Sequence, residues 1–370
     1  MTGFEAQQAA TDGGTLNGTA AYDTTTKRTG AASIRCNPAS GVAGYYSPAS
    51  AAVTGMFVHF GLYVVTFPSL DRVIAGASSS WLTVRLRSDG KLSVFNGASL
   101  VGTSSTALSA GQWYWIGYRE AVATSVVYLQ INEANEVTGT VGAITAPGAG
   151  TVGFRLVEAS AAEIYIDDVI IDNAGFLAPS KVDIALPISD NTVTGVTDGN
   201  AGTTNLWHCV DNTPPAGVAS ANEAANPQAN IRYPASTTEN YIANLETYQS
   251  LGIGGFDTIL AVQSVVRHGE DIATGSKNFQ NVGALTNPTV AGASVLLDSG
   301  AHGADSPGLW NTTFGTLTTS PSVTLNVSPT IQTSRISEAR VACIDFMGMM
   351  VAWRPTRVPK TSPYPQLLAQ

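Results

Sequence analysis

The chain has 370 residues, only 12 % of them charged, with a net charge of −9 and 37 glycines. No run of Lys or Arg reaches three residues, which disfavours nucleic-acid binding, because phosphate contacts need clustered cations. No apolar stretch approaches the roughly 20 residues needed to span a bilayer, and Met1-Thr2-Gly3-Phe4-Glu5 lacks the basic and apolar regions of a signal peptide, so a soluble protein made in the cytoplasm is expected.

In chain order, Thr29-Gly30 reads as a turn into a strand whose Ala32, Ile34 and Cys36 face one way. Met56 to Val65 places Met56, Val58, Phe60, Leu62 and Val64 on one face, with Phe57, His59 and Tyr63 on the other. A strand apolar on both faces belongs in the middle of a sheet, and His59 within it reads as a hydrogen-bonded core residue rather than a ligand. Leu82, Val84 and Leu86 alternate with Thr83, Arg85 and Arg87. Ser88-Asp89-Gly90 then turns the chain, and Lys91 to Phe95 returns it. Asn96-Gly97 turns it again. Gly111-Gln112 introduces Trp113-Tyr114-Trp115-Ile116-Gly117-Tyr118, an aromatic strand read first as core and second as a sugar platform. Val127, Leu129 and Ile131 form one face of a further strand, and two more follow at Val152–Leu156 and Glu163–Asp172.

Asn173 to Lys181, with Gly175 and Pro179, lacks periodicity and marks a boundary. The expected organisation is a first domain over residues 1–177, a second over 178–356 and a Pro-rich extended tail over 357–370. In the second domain, Leu206–Asp211 reads as a strand and Ala216–Asn230 as a long surface loop, while Glu239–Leu251 suits either a strand or a short helix. Phe256–Arg267 reads as a buried strand and His268-Gly269-Glu270-Asp271 as a solvated turn. Val290–Leu297 and Leu309–Thr319 follow as strands. Ser334–Cys343 reads as a short helix capped by Ser334, and Phe346–Trp353 as the last strand. The predicted fold class is all-β: two β-sandwiches of jelly-roll type in tandem, with a short helix near the C-terminus.

The residues Gly3-Phe4-Glu5, Lys27-Arg28-Thr29-Gly30, Asp89-Gly90-Lys91, Gly111-Gln112-Trp113-Tyr114 and Ile164-Tyr165-Ile166-Asp167-Asp168-Val169 together resemble a laminin-G-like, concanavalin-A-like jelly roll over roughly residues 3–175. That fold hosts lectins, glycan hydrolases and spacers alike. The hydrolases of the superfamily carry a Glu-x-Asp-x-x-Glu strand, to which Glu163, Asp167 and Asp168 come nearest with a different order and spacing; Asp167 and Asp168 are expected on opposite faces of their strand. The resemblance also raises calcium at a sheet rim through Asp71, Asp167 or Asp168, against the simpler reading of carboxylates that accept backbone N–H bonds. The second half is similar to structural proteins encoded among tailed-bacteriophage virion genes, in its Val-Asp-x-x-Leu-Pro opening at Val182, its Pro214-Pro215 turn and its Ala-Val-Gln strand at Ala261.

No catalytic, cofactor-binding or metal-ligating residue is assigned, and no cofactor is expected. His268 beside Glu270 and Asp271 is read as solvated rather than catalytic, and Cys36, Cys209 and Cys343 as reduced thiols without metal-ligand spacing. The expected function is that of a structural virion protein, assembled in the host cytoplasm as a homo-oligomer with capsid or tail proteins, with no enzymatic activity, no nucleic-acid partner and no membrane insertion. The alternative is a carbohydrate-binding module that recognises a host-surface glycan by stacking aromatics such as Trp81, Tyr114 or Tyr45-Tyr46 on sugar rings.

Overall fold

The computed structural model describes residues 15–30, 32–38, 41–47, 55–77, 82–121, 126–141, 152–157, 162–172, 175–198, 205–210, 231–233, 239–270, 277–297, 311–335 and 342–356. Every strand pair among them is antiparallel. The first half forms two seven-stranded sheets. Sheet 1 runs Thr15–Gly18, Val42–Tyr46, Val152–Val157, Arg72–Ala77, Leu82–Leu86, Lys91–Asn96, Ser99–Ala107; sheet 2 runs Ala134–Thr140, Val126–Ile131, Trp113–Ala121, Gly55–Thr66, Glu163–Asp172, Ser33–Cys36, Ala21–Asp23. This is the order of a jelly roll, in which hairpin neighbours alternate with partners distant in sequence.

Period-two alternation decides what each strand buries. Val58, Phe60, Leu62 and Val64 meet Ile74, Val84, Val94 and Phe154 in one core between the sheets. The ring centroids of Phe60 and Phe154 lie 5.1 Å apart at 66°. Gly55–Thr66 is the fourth strand of seven, the central position its two apolar faces predicted. Cys36 is fully buried, and burial pushes its thiol up to about 12, which leaves it unreactive. The side chains of Cys209 and Cys343 lie outside the described residues.

The second half forms another pair of sheets. Sheet 3 centres on two 13-residue strands, Thr258–Glu270 and Ala342–Arg354, and sheet 4 runs Pro187–Thr194, Glu239–Leu245, Thr330–Arg335, Lys277–Leu285, Ala293–Leu297. Tyr241, Leu245, Val282 and Ile331 pack on Val262, Val266, Ile344, Met347 and Val351. Among the described residues no helix is long and apolar enough to cross a membrane.

Four expectations change here. The helix expected over Ser334–Cys343 is absent at both ends, because Ile331, Thr333 and Arg335 alternate inward with Thr330, Gln332 and Ser334 outward, and Cys343 already pairs with Arg232 and Gly269; the middle of that stretch lies outside the described residues. Leu206–Cys209, expected as strand, is a short 3-10 helix, with the Leu206 and Trp207 N–H groups donating to Asp190. Glu239–Leu245 settles as strand. His268, expected in a solvated turn, is 1 % exposed and continues the Thr258–Glu270 strand, its Nε2 2.8 Å from Thr313 Oγ1; its side chain is taken up by the sheet rather than by solvent. The Ala216–Asn230 loop, Asp271 and the 357–370 tail lie outside the described residues.

Candidate functional site

The outer face of sheet 2 carries the other half of the aromatic strand. Tyr114, Ile116 and Tyr118 point into the core, so Trp113, Trp115, Gly117 and Arg119 point out. Pairing sets Trp113 opposite Tyr63, Tyr63 opposite Tyr165, and Tyr165 opposite Arg35. Four strands thus contribute one side chain each to a single row, about 14 Å long at a strand spacing of about 4.8 Å.

The row is partly open. Trp113 and Tyr63 are half-buried, their rings 5.4 Å apart at 51°. Tyr165 stands edge-on to Tyr63 at 6.0 Å and is nearly covered. Gly61, one step along the strand from Leu62, supplies the clearance: a Cβ there would lie 2.9 Å from Arg28 Cδ and 3.4 Å from Trp113 Cε3. At the far end the Glu163 carboxylate accepts from Arg35 Nε at 2.7 Å, Asn37 Nδ2 at 3.0 Å and the Tyr165 hydroxyl at 3.0 Å. The Arg35 bond leads the causes that hold Glu163 below the usual carboxylate range. The row therefore ends in a satisfied ion pair rather than a free charge.

One rung further, the same face is closed. Residues 175–180 cross it, and His59 Nε2 accepts the Leu177 N–H at 3.0 Å. The Trp115 Nε1–H donates to the Leu177 carbonyl at 3.0 Å, its ring stacked 5.9 Å from His59 and capped by the Arg28 guanidinium at 4.9 Å. Trp115 also packs with Ile170, Val182 and Ala352, where the two sandwiches meet. His59 is thus the hydrogen-bonded interior residue expected of it, and burial lowers its pKa to about 4.

Because the folded state holds His59 neutral, its contribution to stability is present above the unfolded value of 6.5 and is lost as pH falls toward 4, by about 3 kcal/mol in all. Asp183, raised to about 6 chiefly by burial, acts oppositely: its contribution is lost as pH rises through 6. The two offset one another in the wild type. Denaturant titrations of wild type and His59→Gln, whose amide oxygen can still accept the Leu177 N–H, should separate them, with the stability gap shrinking by about 3 kcal/mol from pH 7 to pH 4. A gap independent of pH would refute this.

Asp167 and Asp168, expected on opposite faces, reach the same segment. Asp168 has φ 49°, and the pairing of its strand with Gly55–Thr66 shifts register between Asp167 and Ile170. This bulge turns both carboxylates onto Arg28 and Thr29. Asp167 Oδ2 accepts the Arg28 and Thr29 N–H groups at 2.7 and 3.2 Å, while Asp168 takes Arg28 Nη1 and Thr29 Oγ1, both at 2.5 Å, and the Val182 N–H at 2.7 Å. Both are fully buried, and burial raises both pKa values, for Asp167 helped by the neighbouring Asp168 charge. They are structural carboxylates held by Arg28, Thr29 and Val182, while Glu163, at the start of the strand, is held by Arg35 and Asn37, so the three do not assemble a hydrolytic pair. Asp71, half-exposed, lies 4.0 Å from Arg87 Nη1. Among the described residues no three His, Cys, Asp or Glu side chains gather as metal ligands. The side chain of Glu270 and the whole of Asp271 lie outside them, so the expected pairing with His268 is not described.

The aromatics named from sequence as sugar platforms are mostly elsewhere. Tyr45 is fully buried, and Tyr114 is 7 % exposed with its hydroxyl accepting the Ser109 N–H. Tyr46 lies half-buried on sheet 1, and Trp81 is outside the described residues. Trp113 belongs to the strand read first as core and second as a sugar platform, and parity within Trp113–Tyr118 turns it outward; Tyr63 and Tyr165 were overlooked, because they join it only through pairing.

No protein-family model matches the chain, and no curated protein matches it. Among solved structures it is similar to the cellulose-induced protein Cip1, at 14 % identity over 45 % of this chain and 88 % of that one, with a TM-score of 0.37. A sialidase is matched at 12 % identity over 44 % of this chain and 17 % of its own, with a TM-score of 0.36. The carbohydrate-binding module CBM66 from Bacillus subtilis is matched at 15 % identity over 44 % of this chain and 96 % of its own, with a TM-score of 0.31.

Proposed function

We propose that the chain is a carbohydrate-binding module that takes a neutral glycan on the outer face of sheet 2, without covalent chemistry. The observation that carries this is the row Trp113–Tyr63–Tyr165–Arg35: aromatic rings in line across three strands, two of them half-open, with a guanidinium on the fourth. Sugar C–H faces stack on such rings, and hydroxyls find donors and acceptors beside them. The Arg35–Glu163 pair offers hydrogen bonds but no unpaired cation, which favours uncharged sugars. The row lies on strands rather than loops, so it is held in place without ligand. A virion setting, as expected from the sequence, is compatible with such a module, although no comparison links the chain to a phage.

The test is retention of the full chain on a panel of neutral polysaccharides. Trp113→Ala should weaken binding about thirtyfold, the effect of removing an aromatic anchor worth about 2 kcal/mol, while leaving the melting temperature nearly unchanged because the ring is half-exposed. Absence of any retained polysaccharide, or retention indifferent to Trp113→Ala, would sink the proposal.

A further inference from the structure

The two open rings of the sheet 2 row do not lie in one plane. Trp113 and Tyr63, both half-buried, have centroids 5.4 Å apart and planes inclined at 51°. The third ring offers no further face: Tyr165 is 6 % exposed and stands at 85° to Tyr63, its centroid 6.0 Å away. At the other end, the strand Val126–Ile131 stops opposite Ile116, so it adds nothing to the row beyond Trp113. The stacking platform is therefore two rings long and bent in the middle. Tyr63 is wedged between Trp113 on one side and Tyr165 on the other, so the bend is held without ligand.

The surroundings set how a ligand crosses this platform. Residues 175–180 close the face one rung away, where Trp115 Nε1–H donates to the Leu177 carbonyl, so a chain over Trp113 is barred from running along the strands in that direction. Its open course is across them, from Trp113 over Tyr63 toward Arg35. Arg35 bonds to Glu163 through Nε, and its side chain is 44 % exposed, which leaves the outer edge of the guanidinium to donate to sugar hydroxyls.

A pyranose stacks by laying its C–H face flat on an aromatic ring. Centroids 5.4 Å apart leave room for consecutive units of a chain, one to a ring, with no unit between them. The planes of those two units must then differ by about the angle between the rings. A crystalline polysaccharide presents coplanar sugar rings, and a flat ribbon such as mannan keeps consecutive rings parallel, so either lies flush on one ring only. A chain that winds about its axis turns each sugar relative to the last and meets both.

We infer that the row selects a single wound chain of a neutral polysaccharide over flat ribbons and crystal faces, with one sugar on Trp113, the next on Tyr63 and the hydroxyls of a further unit at Arg35. This rests on the neutral-glycan reading of the same row and adds to it the shape of the ligand.

The experiment titrates the full chain calorimetrically with xylohexaose, laminarihexaose and maltohexaose, three wound chains, and with mannohexaose, a flat one, and measures depletion of the protein by microcrystalline cellulose. At least one wound chain should bind at least about tenfold more tightly than mannohexaose, and the one that binds identifies the linkage. Cellulose should leave the protein in solution. Tyr63→Ala should weaken binding of the preferred chain about tenfold, because that ring carries a sugar of its own; the discrimination by the wild type tests the inference even where this variant folds poorly. Mannohexaose bound as tightly as every wound chain, or depletion by cellulose that Trp113→Ala abolishes, would overturn the inference and leave the neutral-glycan reading standing. A folded Tyr63→Ala with wild-type affinity would do the same. If no probe binds, or if binding is indifferent to Trp113→Ala, both fall together.

Discussion

Arg28→Ala should lower the unfolding free energy by about 3–5 kcal/mol, the cost of stranding a buried carboxylate by removing its partner. Arg28 Nη1 bonds to Asp168 and to the Ser180 carbonyl, both at 2.5 Å, and its guanidinium caps Trp115. Asp168 in turn accepts the Val182 N–H, and Thr29 Oγ1 donates to the Val182 carbonyl at 3.1 Å. One side chain thus ties the bulge in sheet 2 to the opening strand of the second sandwich. Its loss should not only lower the denaturation midpoint but split a single transition into two, as the sandwiches unlink. Arg28→Lys should fall between, since an ammonium keeps the charge but not the planar group that stacks on Trp115. Fluorescence and circular-dichroism melts that coincide in one transition, with less than about 1 kcal/mol lost, would contradict this account.

A second large effect is expected inside the second sandwich. Arg335 and Glu239 are both fully buried, 3.4 Å apart across adjacent strands of sheet 4. Beside them the Tyr233 hydroxyl bonds with Thr333 Oγ1, and burial pushes Tyr233 above its ordinary value. Arg335→Leu alone should cost about 3–5 kcal/mol by removing the cation that faces the buried Glu239 carboxylate. Pairing Arg335→Leu with Glu239→Leu should recover most of the loss, because a well-packed apolar pair often equals a buried ion pair. A double variant as unstable as the sum of its singles would show that the two charges act through other groups.

Local alternation was legible in the sequence and pairing was not. Leu82–Leu86 and Lys91–Asn96 could be read as a hairpin because everything that makes them so lies within a few residues, down to Gly90 at φ 79°. The inward faces of Gly55–Thr66 and Ser33–Cys36 were equally plain from period two. The Asp167–Asp168 clasp was hidden, because a bulge breaks the alternation that placed the two carboxylates on opposite faces. Ser334–Cys343 was misread since Ile336, Ala339, Arg340 and Cys343 fit a helical face, whereas long-range partners at Asn240 and Asn281 hold Ser334 in a sheet. The row on sheet 2 belongs mostly to the illegible part. Trp113, Tyr63, Tyr165 and Arg35 come from four strands spread over more than a hundred residues, and only register brings them into line.

The sheet 2 face places two tryptophans two residues apart under unlike constraints. Trp115 is sealed beneath Leu177 and Arg28 at the seam between sandwiches, so a change there is a change in folding. Trp113 is half-buried, its ring beside Tyr63 and open to solvent on the outer face. Across descendants of this chain, residue 115 should therefore drift slowly and residue 113 should track whatever the module encounters, so that ligand preference can diversify on a strand whose other tryptophan keeps the architecture fixed.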